Sequence, residues 1–425
     1  MERWFNVLHH FNPPIKGVNQ VNREARLTVF GTSLAHLLSH AFIISFPAFL
    51  PYLTRDFAEA GLLSGVLFIT YGLTQFPGGW LGDKIGEQIV LIVYLTVAGF
   101  GSIALVLIEE FNIGLLFVAA IIGLAGGLYH PVGLSLISKT FKENRGQAIG
   151  VHGVSGSIGL AAAPTIAVIV VTQTNRWNLS LLPLGFLAFF GSLFFITSRL
   201  WLHTDQTDEP TTPKPIVVKT EKSSKISRYL LFVLLMSGLN GLTFDGILAF
   251  LNQYLVYQGF TEAQAGYIAS IIYGVGIGGQ LVFGYLVDKR GAYMMVGVSF
   301  SLIFLAVLLF PFLHPKPLET YDSFSKAIIL IYFLFFGFVI VSIQPGLNVM
   351  VAEASSEEHR GMAYGMYFFL TYGVGGLATP FVGLFADKYS PDYIFFILAG
   401  FTLGALLVLL FLIPSARNAS TKIAE

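Results

Sequence analysis

Five ionisable side chains lie inside long apolar stretches of this 425-residue sequence. They are His36, His40, His130, His152 and Asp245. An ionisable group at the centre of a bilayer costs roughly 2.5–3.5 kcal/mol, so each of these side chains needs a partner or a function. Imidazole and carboxyl groups can carry a proton or bind a polar ligand, and both activities fit a pathway across a membrane.

His36 and His40 are four residues apart, which places them on one face of a helix. The spacing has three interpretations. The pair binds protons or substrate in a central cavity, or it packs and hydrogen-bonds between helices, or it binds a metal ion. We favour the first and disfavour the metal, because histidine ligands usually need carboxylates or further histidines nearby. The sequence therefore predicts no metal site and no cofactor.

Asp245 is the only carboxylate deep in an apolar stretch, and Asn240 precedes it on the same predicted helix. A lone buried carboxyl group is the first candidate for proton coupling. The alternative is a structural aspartate, hydrogen-bonded near the outer face of the membrane. The sequence does not separate the two.

Two dipeptides place a polar residue beside a proline in the middle of a predicted helix: His130-Pro131 and Gln344-Pro345. Proline frees a backbone carbonyl and bends the helix axis, so both positions suit a gate or a binding wall. Packing between helices is the alternative for His130. His152 lies among glycines that favour close helix packing. Further residues that complete an amphiphilic cavity lining are Gln75, Gln280, Asn348, Tyr364 and Tyr367.

The composition requires the bilayer to be the solvent for most of the chain. Charged residues make up 11%, hydrophobic residues 55%, and the mean hydropathy is +0.73. A spanning helix needs about 20 apolar residues, and twelve such stretches occur. We number them spans 1 to 12: 28–53, 60–82, 88–108, 112–138, 146–172, 179–201, 228–256, 263–286, 292–313, 326–351, 360–385 and 392–413.

The basic residues predict the orientation. All but five of the 24 Lys and Arg fall in segments that are cytoplasmic if both termini are cytoplasmic. The exceptions are Arg55, Arg176, Lys316, Lys326 and Lys388. Because the chain is compact and lacks glycosylation-rich loops, we expect a multi-pass protein of a prokaryotic plasma (inner) membrane. No basic cluster suggests a nucleic-acid partner, and the absence of cysteine excludes disulfides and thiolate metal sites.

The chain divides into two bundles of six spans, 27–201 and 228–414. A polar segment rich in Thr, Pro and Lys, 202–227, reads as a flexible cytoplasmic linker between them. The tails are 1–26 and 415–425. The first tail either forms a short interfacial helix before Pro13-Pro14 or is disordered.

The two halves repeat each other. RGQAIGVHGVSGSIGLAAAP (145–164) and RGMAYGMYFFLTYGVGGLATP (360–380) share a frame with one residue of slippage. GGWLGDKIGE (78–87) likewise matches FGYLVDKRGA (283–292). Duplication of an apolar unit around a shared axis is typical of transporters.

These motifs resemble the major facilitator superfamily over the whole chain. The loop between spans 2 and 3 matches the family pattern through Gly86, and then Glu87 and Gln88 replace two basic residues. The resemblance implies an all-α fold of twelve transmembrane helices in two pseudo-symmetric six-helix bundles, and a monomer. It also implies a cytoplasmic latch between the bundles, for which the matching residues are Gly79, Asp83, Lys84, Gly86, Arg145, Asp288, Lys289, Gly291 and Arg360. We expect Arg145 and Arg360 to interact with Asp83 and Asp288 in one conformational state.

Three segments, in spans 1, 4 and 5, are similar to the fosmidomycin-resistance branch of drug-efflux proteins. They include SLAHLLSHAFIISFPAFLPYL and LYHPVGLSLISKTF. His36 and His130-Pro131 match that branch, whereas His40 stands where an acidic residue is expected.

The sequence therefore predicts a secondary transporter and not an enzyme. We expect alternating access and proton-coupled efflux of a small amphiphilic compound, with no nucleotide-binding loop to suggest ATP as the driver. Uptake or facilitated diffusion of an organic metabolite is the alternative. A membrane metalloenzyme with a histidine box is an alternative of another class, disfavoured because the nine histidines are scattered along the chain.

Overall fold

The computed structural model describes residues 23–107, 114–141, 145–205, 228–313, 317, 321–355 and 360–423. For 23–24, 138, 145–151, 199–205, 360–361 and 412–423 it describes the backbone and not the side chains. The predicted interfacial helix before Pro13 and most of the predicted linker lie outside the described residues.

The described part of the chain is mostly helical and contains no strand, and twelve of its helices are long and apolar enough to span a membrane. The predicted fold class is confirmed. In order from span 1 to span 12, the helices are Arg23–Phe49, Phe57–Ile85, Glu87–Val106, Leu115–Gly127 with Tyr129–Thr140, Arg145–Thr174, Leu182–Asp205, Arg228–Tyr257, Glu262–Arg290, Ala292–Leu309, Ser323–Ile340 with Gln344–Ala354, Arg360–Phe368 with Phe369–Val374 and Gly375–Lys388, and Tyr393–Ile423.

Two helices extend beyond the predicted spans. The helix of span 6 continues to Asp205, four residues past the predicted end of the span at 201. The helix of span 12 continues to Ile423, through most of the segment predicted as a tail. No glycine follows Gly404 to end that helix by adopting a left-handed conformation.

Side-chain caps explain where several helices begin. Asp56 accepts a hydrogen bond from the Glu59 amide at the start of span 2, at 2.9 Å. Thr261 and Gln264 form a reciprocal capping box at the start of span 8. These caps satisfy amide groups that a helix leaves without intrahelical partners.

The interruptions predicted at the two prolines are confirmed. Span 4 breaks at Leu128 and restarts at Tyr129, two residues before Pro131, and span 10 breaks after Ile340 and restarts at Gln344. Proline lacks an amide hydrogen and fits the first turn of a helix, so the chain restarts a helix at each proline.

Span 11 contains a π-helical segment, Phe369–Val374, that span 5 lacks. Arg145 and Pro164 are 19 positions apart, whereas Arg360 and Pro380 are 20 positions apart. A π turn accommodates one residue more than an α turn. The slippage between the two repeated segments is therefore absorbed by this π segment.

The packing repeats between the halves. In the first half, span 1 packs on span 5, span 2 on span 4 and span 3 on span 6. The second half repeats this with spans 7 and 11, 8 and 10, and 9 and 12. The halves meet along two equivalent seams, span 2 against span 11 and span 5 against span 8. The duplication in the sequence is thus a pseudo-twofold arrangement in the fold.

Glycines bring the backbones of spans 2 and 11 together. A Cβ on Gly72 would lie 2.3 Å from the Gly373 amide nitrogen, and one on Gly65 would lie 2.8 Å from the Gly376 carbonyl oxygen. Small residues at such contacts let helices approach closely in a membrane.

We call the bundle end that carries Arg55, Glu262 and Asp387 the Arg55 end, and the opposite one the Asp83 end.

Large apolar side chains project from the outside of the bundle. Phe186, Ile331 and Phe381 are each about two-thirds exposed or more. Such a surface suits lipid contact, and the protein is an integral multi-pass membrane protein.

Candidate functional site

Four of the predicted histidines form one cluster. The ring centroids of His36, His40 and His130 lie at the corners of a nearly equilateral triangle, with sides of 4.9, 5.2 and 5.2 Å. His152 stacks on His36 at 4.4 Å. The structure therefore joins residues from spans 1, 4 and 5 that the sequence separates by up to 116 positions.

The elements explain this meeting. The break before Tyr129 starts a new helix whose second residue is His130. On span 5, Gly156 leaves room for both rings of span 1, since a Cβ there would lie 2.7 Å from atoms of His36 and His40.

Hydrogen bonds fix the tautomers of two of these rings. His36 donates from Nδ1 to the His152 carbonyl oxygen at 2.9 Å, which leaves its Nε2 with a free lone pair. The Tyr129 hydroxyl donates to the Thr32 carbonyl oxygen at 3.0 Å. It therefore accepts from His152 Nε2, 2.6 Å away. His152 is in this respect a packed, hydrogen-bonded histidine.

Nδ1 of His152 is buried without a partner, and the other two rings also have buried nitrogens without a partner. Nδ1 of His40 and Nε2 of His130 have no hydrogen-bond partner. His130 is 4% exposed, whereas His40 is half-buried. A buried polar atom without a partner loses the hydrogen bond it would make in water, so both nitrogens call for a ligand.

Aromatic rings connect the histidine cluster to the second half. His130 stacks on Phe368 of span 11, with centroids 4.7 Å apart and rings 15° from parallel. Tyr71 of span 2 contacts Tyr372 of span 11 at 5.0 Å, and its hydroxyl bonds with the Ser39 hydroxyl at 2.8 Å. This wall is apolar on its faces and polar at its edges. Sequence analysis missed Tyr71, Phe368 and Tyr372, because aromatic residues are common in every span.

Asp245 lies in the second half, at the contact of spans 7 and 11. Its side chain is fully buried, and neither carboxyl oxygen has a hydrogen-bond partner. A Cβ on Gly375 would lie 2.3 Å from Asp245 Oδ2 and 2.6 Å from the Gly241 carbonyl oxygen. Gly375 directly follows the π segment, and π turns often occur at functional sites. Asn240 is buried on the same helix.

The remaining predicted cavity residues divide between two places. Tyr364 donates to the Asn348 carbonyl oxygen at 3.0 Å, and Tyr367 bonds with Gln344 Oε1 at 3.1 Å, so spans 10 and 11 are joined there. Gln280 accepts a hydrogen bond from the hydroxyl of Ser157 at 2.6 Å, across the seam of spans 5 and 8. Gln75 is buried on span 2.

The predicted latch residues lie at the Asp83 end. Asp83, Lys84, Asp288 and Lys289 are exposed. Lys84 lies over the Trp80 ring at 4.0 Å, and Lys289 repeats this arrangement over Tyr285 at 4.5 Å. The side chains of Arg145 and Arg360 lie outside the described part, so the predicted pairing with the aspartates stays a prediction.

Glycines end the two helices that carry these latch residues. Gly86 has φ 93° and Gly291 has φ 85°, a region that favours glycine. Gly79 packs against Pro131 of span 4. Glu87, which departs from the family pattern, bonds with Ser135 and Lys139 of span 4.

The Arg55 end is tied by polar contacts between the halves. Arg55 forms an ion pair with Glu262. Asp387 of span 11 accepts hydrogen bonds from the amides of Phe57 and Ala58, at 3.0 and 2.7 Å. The only ion pair between the halves among the described side chains is thus at this end. Sequence analysis missed Asp387, because nothing in its local pattern indicates a cap on a helix of the other half.

Comparison with known proteins identifies relatives over the whole chain. The sequence profile of the Major Facilitator Superfamily matches residues 29–380 and 320–425. The fosmidomycin resistance protein of Escherichia coli is 22% identical over 95% of this chain and 98% of its own length. The resemblance predicted from spans 1, 4 and 5 is confirmed. A probable nitrate transporter of Staphylococcus epidermidis, NarT, is 28% identical over 44% of this chain and 48% of its own.

Solved structures share the fold at low sequence identity. The crystal structure of the nucleoside transporter NupG matches 91% of this chain and 99% of its own, with a TM-score of 0.68 and 16% identity. The crystal structure of a POT family transporter in complex with 5-aminolevulinic acid matches 95% of this chain and 98% of its own, with a TM-score of 0.72 and 12% identity.

Proposed function

Because the chain belongs to the Major Facilitator Superfamily, and is therefore a transporter of a small solute and not an enzyme, we propose that it exports an amphiphilic compound in exchange for protons. The observation that carries this proposal is the carboxyl group of Asp245, which is buried between spans 7 and 11 of the second half without a hydrogen-bond partner. The histidine-box metalloenzyme is excluded by the family.

A carboxyl group without a cation or a hydrogen bond is costly to bury as a charged group. In the packed state of spans 7 and 11, Asp245 is therefore expected to carry a proton. When the halves move, the carboxyl group gains access to water and releases the proton. Binding and release of one proton per cycle would couple the proton gradient to the motion of the halves.

The substrate is proposed to bind beside the aromatic wall. His130 and Phe368 stack face to face across the two halves, so a planar or apolar group has surfaces from both halves to contact. The free nitrogens of His40 and His130 supply polar contacts. An uncharged or weakly polar solute of amphiphilic character fits these surfaces.

Alternating access is supported by the distribution of contacts between the halves. The ion pair of Arg55 and the caps by Asp387 close the Arg55 end. Toward the Asp83 end, Ser157 and Gln280 still bond with each other across the seam of spans 5 and 8. The latch residues, which lie further toward that end, are exposed. We take this structure as a state closed at the Arg55 end and open at the Asp83 end.

We propose that the Asp83 end is cytoplasmic, with both termini on that side of the plasma membrane; the distribution of the basic residues supports this orientation. The structure then corresponds to the state open to the cytoplasm, in which an exporter loads its substrate. Export is the preferred direction because one relative that matches nearly the whole chain is a resistance protein. We propose that the unit of transport is the monomer.

The experiment has two stages. Growth of an efflux-deficient bacterial host, with and without the chain, is measured against a panel of amphiphilic inhibitors. A compound against which the chain protects is then added to proteoliposomes that contain a pH-sensitive dye. Addition of the compound should drive proton movement in these vesicles and not in vesicles without protein. Transport without any proton movement would overturn the exchange mechanism. If the chain instead made the host more sensitive to the compound by taking it up, the proposed outward direction of transport would be wrong.

A further inference from the structure

We propose that His36, His40 and His130 form a binding site for a divalent transition-metal ion, with Zn²⁺ as the reference ion. Each ring offers one nitrogen, and these nitrogens all lie within 4.8 Å of one another. The sequence alone predicts no metal site, because two histidines on span 1 are too few. Folding supplies the third ligand from span 4.

The arrangement of the rings matches what a metal requires. Three imidazoles bound to tetrahedral Zn²⁺ at about 2.0 Å have ring centroids about 5 Å apart. The observed centroid separations are 4.9, 5.2 and 5.2 Å. The three rings are also steeply inclined to one another, at 63°, 83° and 79°. Small side-chain rotations would close the nitrogens to coordination distance.

The hydrogen bonds leave the required lone pairs free. His36 donates its Nδ1 hydrogen to the His152 carbonyl oxygen, the outer contact that typically orients a metal-binding histidine. Its Nε2 is then a ligand atom. Nδ1 of His40 and Nε2 of His130 are buried without partners, so binding a metal would satisfy both. His152 also has a buried nitrogen without a partner, Nδ1, but it does not belong to the group whose ligand nitrogens lie within 4.8 Å of one another.

The donor set selects the ion. Neutral imidazole suits Zn²⁺, Co²⁺, Ni²⁺ and Cu²⁺, whereas Mg²⁺ and Ca²⁺ require oxygen ligands. Three protein ligands leave one tetrahedral position for water or an anionic group. His40 is half-buried and is the most exposed of the three ligand residues, so an ion would enter the site from its side. This inference goes beyond the proposed exchange of solute and protons, and it does not depend on Asp245. It shares His40 and His130 with the proposed substrate contacts, so with an ion bound a solute would meet the open fourth position of the ion instead of these nitrogens.

The test measures binding directly, on full-length protein purified without a histidine tag and stripped with a chelator. Zn²⁺ is titrated against a chromophoric competitor, and Co²⁺ is titrated with detection of its visible absorption. We expect one ion per chain and an intense Co²⁺ spectrum of tetrahedral type. His40→Gln and His130→Gln should each weaken Zn²⁺ binding by about 100-fold or more.

The matched control is His152→Gln, which removes a neighbouring ring but keeps the backbone carbonyl that orients His36. Its Zn²⁺ affinity should stay within a few-fold of the original. Equal affinity in all three variants, or no stoichiometric binding to the unsubstituted chain, would overturn the proposal.

X-ray absorption at the zinc edge of the unsubstituted, Zn²⁺-loaded protein provides a second readout, which needs no variant to fold. Scattering from three imidazoles supports the site, and its absence rejects it. Neither measurement involves transport, so failure of the metal site and failure of proton exchange are distinguishable.

Discussion

The carboxyl group of Asp245 lies directly against the backbone of Gly375, at the residue where span 11 leaves its π segment. A Cβ on Gly375 would come within 2.3 Å of Asp245 Oδ2. The second repeated segment is one residue longer than the first, and the π segment that holds this residue lies beside the only carboxylate deep in a span. The second half of the duplicated fold contains the π turn and the buried aspartate, and the first half contains the histidine cluster.

Replacing Gly375 by alanine should destabilise the protein and displace Asp245. The added methyl group meets a carboxyl oxygen and the Gly241 carbonyl oxygen, both of which are held in place by packed helices. Overpacking of this kind costs about 1–3 kcal/mol. A lower melting temperature in detergent is the expected result. Gly400→Ala is the matched control, because a Cβ there has nothing within 4 Å, and it should melt as the unsubstituted chain does.

Cross-linking the seam of spans 5 and 8 should stop transport. The hydroxyl oxygens of Thr165 and Ser270 are 2.8 Å apart across the two halves. The chain has no cysteine, so Thr165→Cys with Ser270→Cys introduces a single pair into a clean background. Oxidation should form a disulfide and block solute movement, and a reductant should restore it.

The control pair lies within one half. Thr96 and Ser192 have hydroxyl oxygens at the same separation, 2.8 Å, on spans 3 and 6. A disulfide between cysteines at these positions should leave transport unaffected. Continued transport with the seam cross-linked would show that the halves do not move against each other there.

Removing the carboxyl group of Asp387 should open the Arg55 end more often. Asp387→Ala leaves the amides of Phe57 and Ala58 without their acceptor, which weakens the contact of span 11 with the start of span 2. The exposed ion pair of Arg55 and Glu262 is worth less than about 1 kcal/mol and cannot replace it. Thiol labelling of a single cysteine at Gln253, which bonds to the Thr54 carbonyl oxygen at this end, should become faster. Unchanged labelling would mean that the cap does not control this end.

Asp56 gives the Arg55 end a dependence on pH. The hydrogen bond from the Glu59 amide holds the pKa of Asp56 below its ordinary value. Because the folded-state pKa is lowered, the stabilisation is fully present above the ordinary pKa and is lost as the pH falls through the folded-state pKa. Asp56→Ala should lower the melting temperature near neutral pH and have a smaller effect in acid. A constant difference between the two proteins across this range would contradict the assignment.

Sequence patterns were sufficient for the architecture, because a bilayer imposes length and apolarity on every spanning helix. The breaks beside His130 and Gln344 followed from proline chemistry. Sequence patterns did not predict where the helices of spans 6 and 12 end, because a helix can continue into a polar segment when no residue terminates it.

The candidate site was predictable only in part. Ionisable residues in apolar stretches identified the four histidines and Asp245, but not that three imidazoles form a triangle, which depends on the break at Leu128 and on the space beside Gly156. The caps by Asp387 join residues 330 positions apart and have no local signal. The π segment was visible only as a one-residue slip.

The central claim is that Asp245 carries the coupled proton. Asp245→Asn keeps the size of the side chain and cannot release a proton, so the packed state of spans 7 and 11 should form normally while coupling is lost. The most direct measurement compares two assays in proteoliposomes, exchange of labelled for unlabelled solute and solute accumulation driven by a pH gradient. We predict that Asp245→Asn retains exchange and loses accumulation by at least about tenfold. Accumulation in Asp245→Asn equal to that of the unsubstituted protein would contradict the account.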